Sequence, residues 1–147
     1  MVMAYDFHKA GGGSPGPNFP LAGKETYGYD LQKMTDDFLQ FVPAQKLAII
    51  FGLFGYDWTV DKQNSAVGVG IPLTTKEIQQ KFLTSCSYTN CHIQKDPQSA
   101  ETKITYMDNQ QKNHIVWFED LHSVWQKQQA LKQKGITSFS YWAYSYF

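Results

Sequence analysis

Three groups of polar and aromatic side chains stand at the ends of short apolar segments: Met3-Ala4-Tyr5-Asp6-Phe7-His8, Phe54-Gly55-Tyr56-Asp57-Trp58 and Ser140-Tyr141-Trp142-Ala143-Tyr144. A carboxylate beside a phenol accepts and donates hydrogen bonds at one spot, and a flat indole covers the apolar C–H face of a pyranose ring. Sugar sites are built from such side chains. Aromatic residues are 16% of the chain, but the same rings also fill cores well, and composition does not separate the two uses. The competing reading makes Tyr5 and Trp142 core aromatics and Asp6 a strand-end carboxylate bonded to backbone amides. Tyr56, Asp57 and Trp58 would then only turn the chain at a strand end.

The elements that must position these groups can be read from periodicity. Val2 to Phe7, Leu47 to Leu53 and Ile136 to Trp142 have strand length, and the second is apolar on both faces, as in a parallel strand packed on both sides. Between the first two lies a loop rich in glycine and proline from Gly11 to Pro20, then a helix capped by Asp30, with Leu31, Met34, Phe38 and Phe41 on one face and Pro43 as its stop. Strand, helix and strand in that order imply a right-handed crossover.

From Thr59 to Phe118 the period changes, and 59–118 reads as an inserted α+β lobe. Thr74-Thr75-Lys76-Glu77 is a capping box before Ile78, Phe82 and Leu83, and Lys103 to Met107 with His114 to Phe118 make a hairpin. A final helix carries Val124, Trp125 and Leu131, with Asp120 as cap and Gly135 as stop. Trp117, Phe118 and Trp125 are expected to pack the lobe and this helix against the strands. The fold class is therefore α/β: the last three strands of a TIM-type β/α barrel, with a small α+β insertion between the last two. Closure takes about eight strands, so a longer natural protein, self-association or a complementary amino-terminal half is expected.

The 147 residues carry 13 lysines and arginines against 13 aspartates and glutamates. This balance gives no attraction to nucleic acid or an anionic bilayer, and one domain is the expectation over 1–147. Leu47 to Tyr56, the longest apolar run, is far short of the roughly 20 residues of a spanning helix, and residues 1 to 10 lack a secretory pattern. No membrane partner is expected. Cys86 and Cys91 fit a local disulfide or two free thiols. His92 beside them has no second ligand pair at zinc spacing, so neither a metal nor another cofactor is expected. His8, His114 and His122 show no acid or nucleophile partner. Gly16 to Glu25 has the wrong glycine spacing for a phosphate loop, and Glu25 stands where a serine or threonine is needed.

Four motifs in order resemble the carboxy-terminal part of a family 18 glycoside hydrolase, over nearly the whole chain. They are Met3 to Asp6 followed by the loop Ser14 to Leu21, Gly55-Tyr56-Asp57-Trp58, Val116-Trp117-Phe118-Glu119-Asp120 leading into a helix, and Gly135-Ile136 opening a strand that ends at Trp142. They are similar to the family's sixth, seventh and eighth strands, in the branch holding chitobiase-like and peptidoglycan-lytic enzymes. The resemblance implies a site for β-1,4-linked N-acetylglucosamine glycans at the carboxy ends of the strands. In this family the substrate's own acetamide is the nucleophile.

By the same resemblance Tyr5 would bond the acetamide oxygen, Asp6 would orient the acetamide, and Trp142 would form the floor under the sugar. Met3 would pack near that floor, and Tyr56 and Asp57 would line the rim. Phe54 stands where many relatives have a tyrosine, which removes a hydroxyl. The family's proton donor is the glutamate of an Asp-x-x-Asp-x-Asp-x-Glu strand, and no segment here has that spacing. The chain is thus expected to bind glycan without hydrolysing it alone. The alternatives are a non-catalytic, lectin-like glycan binder and a half-barrel assembly scaffold. An extracellular or cell-envelope location is expected for the parent protein.

Overall fold

The computed structural model describes residues 1–146, Tyr144 by its backbone alone; Phe147, the last residue of the 1–147 span, lies outside the described residues. The elements in chain order are β1 (Val2–Ala4), α1 (Lys24–Tyr27), α2 (Leu31–Leu39), β2 (Ala48–Gly52), β3 (Phe54–Val60), β4 (Ile71–Thr74), α3 (Thr75–Ile78), β5 (Thr89–Lys95), β6 (Thr102–Met107), β7 (Asn113–Phe118), α4 (Leu121–Gln133) and β8 (Ser138–Trp142). They form a parallel sheet in the order β1-β2-β8 and an antiparallel sheet in the order β4-β3-β7-β6-β5.

The register of the parallel sheet determines what each face carries. Ala4 pairs with Phe51, and Phe51 with Tyr141. Side chains alternate along a strand, so one face presents Ala4, Ile49 and Phe51 to helices α2 and α4. There they pack with Leu31, Met34, Val124 and Leu131 in one core. The opposite face carries Met3 and Ile50, and among the described residues no helix covers it: Met3 is 62% exposed.

Local chemistry fixes the helix ends. Asp30 accepts from the Lys33 amide and caps α2, Thr74 and Glu77 cap α3 reciprocally, and Asp120 with Ser123 does the same for α4. Gly135 follows α4 at φ +82°, a left-handed conformation that costs glycine little. The hairpin of β6 and β7 lies where alternation placed it, and Cys86 and Cys91 form a disulfide.

Several expectations are corrected. β1 ends at Ala4 rather than Phe7, because Asp6 turns left-handed at φ 61°. α2 ends at Leu39, so the helical period does not extend to Phe41, which is exposed, as is Phe38. On α4 the buried positions are Ser123, Val124, Lys127 and Leu131; this spacing turns Trp125 outward. Leu83 is exposed because the π-type turn Gln79–Leu83 advances it off the buried face of Ile78 and Phe82. The antiparallel sheet starts at Phe54, so a boundary at residue 59 falls inside β3. At Leu53, whose amide donates to the Trp142 carbonyl at 2.9 Å, the chain leaves one sheet for the other.

Candidate functional site

Continuing the register one step past Ala4, Phe51 and Tyr141 brings Tyr5, Gly52 and Trp142 side by side at the carboxy ends of β1, β2 and β8. The middle position has no side chain. A Cβ on Gly52 would come 2.7 Å from Tyr5 Cβ and 2.5 Å from the Phe54 ring, closer than atoms pack. The glycine leaves room for the Tyr5 and Trp142 rings to stack at 6.5 Å with 26° between their planes. Tyr5 also meets Phe54 edge-on at 5.8 Å, and its hydroxyl reaches Met3 Sδ at 2.9 Å.

The antiparallel sheet supplies the facing wall. Tyr5, Asp6 and Trp142 line a cavity of about 260 Å³ together with Phe54 and Tyr56 of β3, Pro72, Leu73 and Thr74 of β4, and Tyr146. The Tyr56 hydroxyl donates to Asp6 Oδ1 at 2.6 Å. Burial, then that hydrogen bond to a carboxylate, then the carboxylate's charge hold the Tyr56 phenol well above the usual tyrosine range, so it stays a neutral donor. Asp6 lines the cavity, and its Oδ2 has no hydrogen-bond partner among the described protein groups.

Alternation along β3 separates Tyr56 from Asp57. Asp57 points to the other side of its sheet, 9% exposed, and accepts from Tyr106 at 2.6 Å and from His114 Nδ1 at 2.9 Å. It does not line the cavity, and this corrects its expected place on the rim: the residue lies inside a strand rather than at a strand's end. Burial, then the hydrogen bond to Asp57, then that carboxylate's charge hold the Tyr106 phenol above its ordinary range. The same alternation buries Trp58, 1% exposed. The structure therefore brings Tyr5, Asp6, Tyr56 and Trp142 together, sets Met3 beneath Tyr5, and leaves Asp57 out.

Behind the cavity lies a chain of buried polar groups that spacing alone did not reveal. Asn18, 1% exposed, accepts from the Asp6 amide through Oδ1 at 2.8 Å and donates through Nδ2 to the Gly52 carbonyl at 2.9 Å. Glu101, just before β6, accepts from the amides of Asn18 at 2.6 Å and Phe19 at 2.8 Å. Lys127 of α4 then bridges Glu101 at 2.7 Å and Glu119 at 2.6 Å, with none of the three side chains more than 1% exposed. Burial pulls the Lys127 ammonium down, but the two carboxylates outweigh it and hold it above the usual lysine range. Burial pushes the Glu119 carboxyl up to about 8; its Oε2 has no hydrogen-bond partner among the described residues. One sequence signal was available: Lys127 sits three residues after Val124 on the stripe that α4 buries.

The model of the glycosyl hydrolases family 18 matches residues 1–146. The chain belongs to that family. Its relatives include the cortical fragment-lytic enzyme of Bacillus subtilis (strain 168), 28% identical over 143 residues, which are 97% of this chain and 30% of that protein. The chain thus spans about three tenths of the length of the curated relatives it matches. Among solved structures, the GH18 chitinase of Cycas revoluta in complex with (GlcNAc)3 is 25% identical with a TM-score of 0.71, over 95% of this chain and 40% of that one. The spore cortex-lytic enzyme SleL of Bacillus cereus shares the fold at a TM-score of 0.76 and 23% identity, over 99% of this chain and 32% of that one. As a family 18 domain the chain is chitinase-like and glycosidase-related.

Proposed function

We propose that this chain is the carboxy-terminal part of a family 18 barrel, its last three strands, and that the cavity binds a β-1,4-linked N-acetylglucosamine glycan: chitin, a chitin oligomer or peptidoglycan. The observation that carries this reading is the stacked pair of Tyr5 and Trp142 over Gly52, with the Tyr56–Asp6 bond beside it. Flat aromatic faces suit pyranose C–H groups, and a neutral phenol beside a carboxylate offers a donor and an acceptor to an acetamide. The Cycas revoluta chitinase, described in complex with (GlcNAc)3, supports this ligand class. The barrel reading is supported by three parallel strands in sequential order with helices, among the described residues, on one face, because the uncovered face carrying Met3 and Ile50 suits a barrel interior.

In this reading Trp142 forms the floor under the sugar, Tyr5 donates to the acetamide oxygen, and Asp6 Oδ2 accepts from the acetamide N–H so that its oxygen faces the anomeric carbon. Tyr56 fixes the Asp6 rotamer. The chain itself holds no Asp-x-x-Asp-x-Asp-x-Glu segment, so the proton donor comes from a complementary half and this chain alone binds without cleaving. A longer protein or an associated subunit can supply that half. A non-hydrolytic glycan binder uses the same four side chains.

Titration of the full chain with chitotriose, watched by tryptophan fluorescence, tests the reading. Saturable quenching is expected that Trp142→Ala removes and Trp125→Phe, on the exposed face of α4, leaves in place. No spectral change up to about 10 mM sugar, the weak end of ordinary binding, sinks it.

A further inference from the structure

We infer that Asn18, held in place by Glu101, is the positioning residue of the cavity, so that the inserted lobe and helix α4 determine where the Asp6 carboxylate points. The inference rests on the proposed glycan-binding role of Asp6. Asp6 has φ 61°; a left-handed conformation is unfavourable for a residue with a Cβ, though less so for aspartate than for most, and it is held where surrounding contacts support it. The contact that imposes it is visible. Asn18 takes the Asp6 amide with its side chain and the Phe7 amide, at 2.8 Å, with its own carbonyl. Two successive amides on either side of the turn are thereby tied to one residue.

Asn18 in turn has no freedom to drift. Its Nδ2 is bound to the Gly52 carbonyl of β2, which ties the ends of β1 and β2 together beneath the Tyr5–Trp142 stack. Its own amide and that of Phe19 are bound by the two oxygens of Glu101, a residue more than eighty positions away at the base of the lobe. Glu101 is fixed by Lys127 of α4. All of these groups are buried, and in a low-dielectric interior each bond of such a chain is stronger and each loss costs more. The result is a continuous path from α4 through the lobe to the carboxylate that Tyr56 contacts. Glu101 and Lys127 do not line the cavity, and their route to Asp6 runs through Asn18.

The test is a double-mutant cycle on the full chain with Asn18→Ala and Asp6→Asn, reading chitotriose affinity, together with amide hydrogen exchange by NMR without sugar. If Asn18 acts by aiming the Asp6 carboxylate, Asn18→Ala weakens binding about 10-fold in the wild-type background and about 2-fold or less once the carboxylate is gone. It also speeds exchange of the Asp6 amide about 10-fold or more while leaving the amides of β2 unchanged. Equal weakening in both backgrounds means a general loosening and overturns the inference, as does unchanged affinity for Asn18→Ala where Asp6→Asn weakens binding. Should Asn18→Ala fail to fold, Asn18→Asp keeps the acceptor facing the Asp6 amide; it is expected to preserve Asp6 protection, and lost protection in that folded variant overturns the inference. Absence of sugar binding by the wild-type chain refutes the glycan-binding reading, and the exchange experiment then decides the positioning role by itself.

Discussion

Replacing Lys127 with methionine separates the buried ion network from ordinary packing. The side chain has no solvent access, and its ammonium lies 2.7 Å from Glu101 and 2.6 Å from Glu119. Methionine fills nearly the same space, so little cavity cost arises; what is lost is the only cation among the described residues facing two buried carboxyls. Breaking a buried pair by removing one partner costs about 3–5 kcal/mol. The lower end applies, because Glu119 is already pushed toward its neutral form by burial and Glu101 keeps two amide donors. About 3 kcal/mol is therefore expected at neutral pH, which at a urea slope of 1–3 kcal/mol/M moves the midpoint down by about 1–3 M. Urea unfolding followed by far-ultraviolet circular dichroism at about pH 7.5 measures it. A midpoint shift below about 0.3 M would refute the assignment of a buried charge network.

Other perturbations follow from single features. Glu119→Gln should flatten the pH dependence of stability: the wild-type carboxyl, raised to about 8 by burial, makes stability fall as pH climbs from the unfolded value near 4.3 towards 8, by at most a few kcal/mol, and an unchanged slope in thermal melts contradicts this. Gly55→Ala should destabilise by about 3 kcal/mol or more, because its Cβ would collide with the backbone oxygen of Trp117 and with Phe118; a melting temperature within about 2 °C of wild type overturns the point. Reducing the Cys86–Cys91 disulfide, a loop closed over a sequence separation of 5, should remove about 2 kcal/mol, seen as a lower melting temperature in reductant that the Cys86→Ser/Cys91→Ser variant reproduces. Tyr56→Phe should weaken chitotriose binding about 5- to 10-fold by releasing the Asp6 rotamer, at a cost to stability of about 1 kcal/mol. Unchanged binding would leave Tyr56 as a wall residue only.

The parts of the fold that were legible in the sequence were those fixed by local chemistry. Asp30, Thr74, Asp120 and Gly135 mark helix ends because each satisfies or releases specific backbone groups within a few residues. The hairpin of Lys103 to Met107 with His114 to Phe118 was legible because alternation and a polar turn occur within one stretch. Extents set by distant contacts were not. β1 stops early because Asn18 captures the Asp6 amide, and α4 buries a lysine instead of Trp125 because Glu101 and Glu119 wait for it on the covered side. Neither cause has a signature in a window of a few residues.

The site shows the same division more sharply. Tyr5, Asp6 and Trp142 could be found because strand ends are where a parallel sheet places side chains toward one opening, and the register then sets Tyr5 and Trp142 on either side of Gly52. Tyr56 and Asp57 are adjacent, and treating them as a pair at a strand's end assigned both to the rim. They belong instead to the interior of a seven-residue strand, where neighbours must face opposite ways: one hydroxyl meets Asp6, and the other residue's carboxylate is enclosed by Tyr106 and His114. What decides between these arrangements is the single residue Leu53, at which the backbone passes from the parallel sheet to the antiparallel one. Gly52 makes that passage possible by leaving space for Phe54 to fold back over Tyr5. The aromatic cavity is therefore a consequence of joining two sheets end to end with one residue between them: the first sheet contributes the stacked floor, the second contributes the wall that holds the carboxylate.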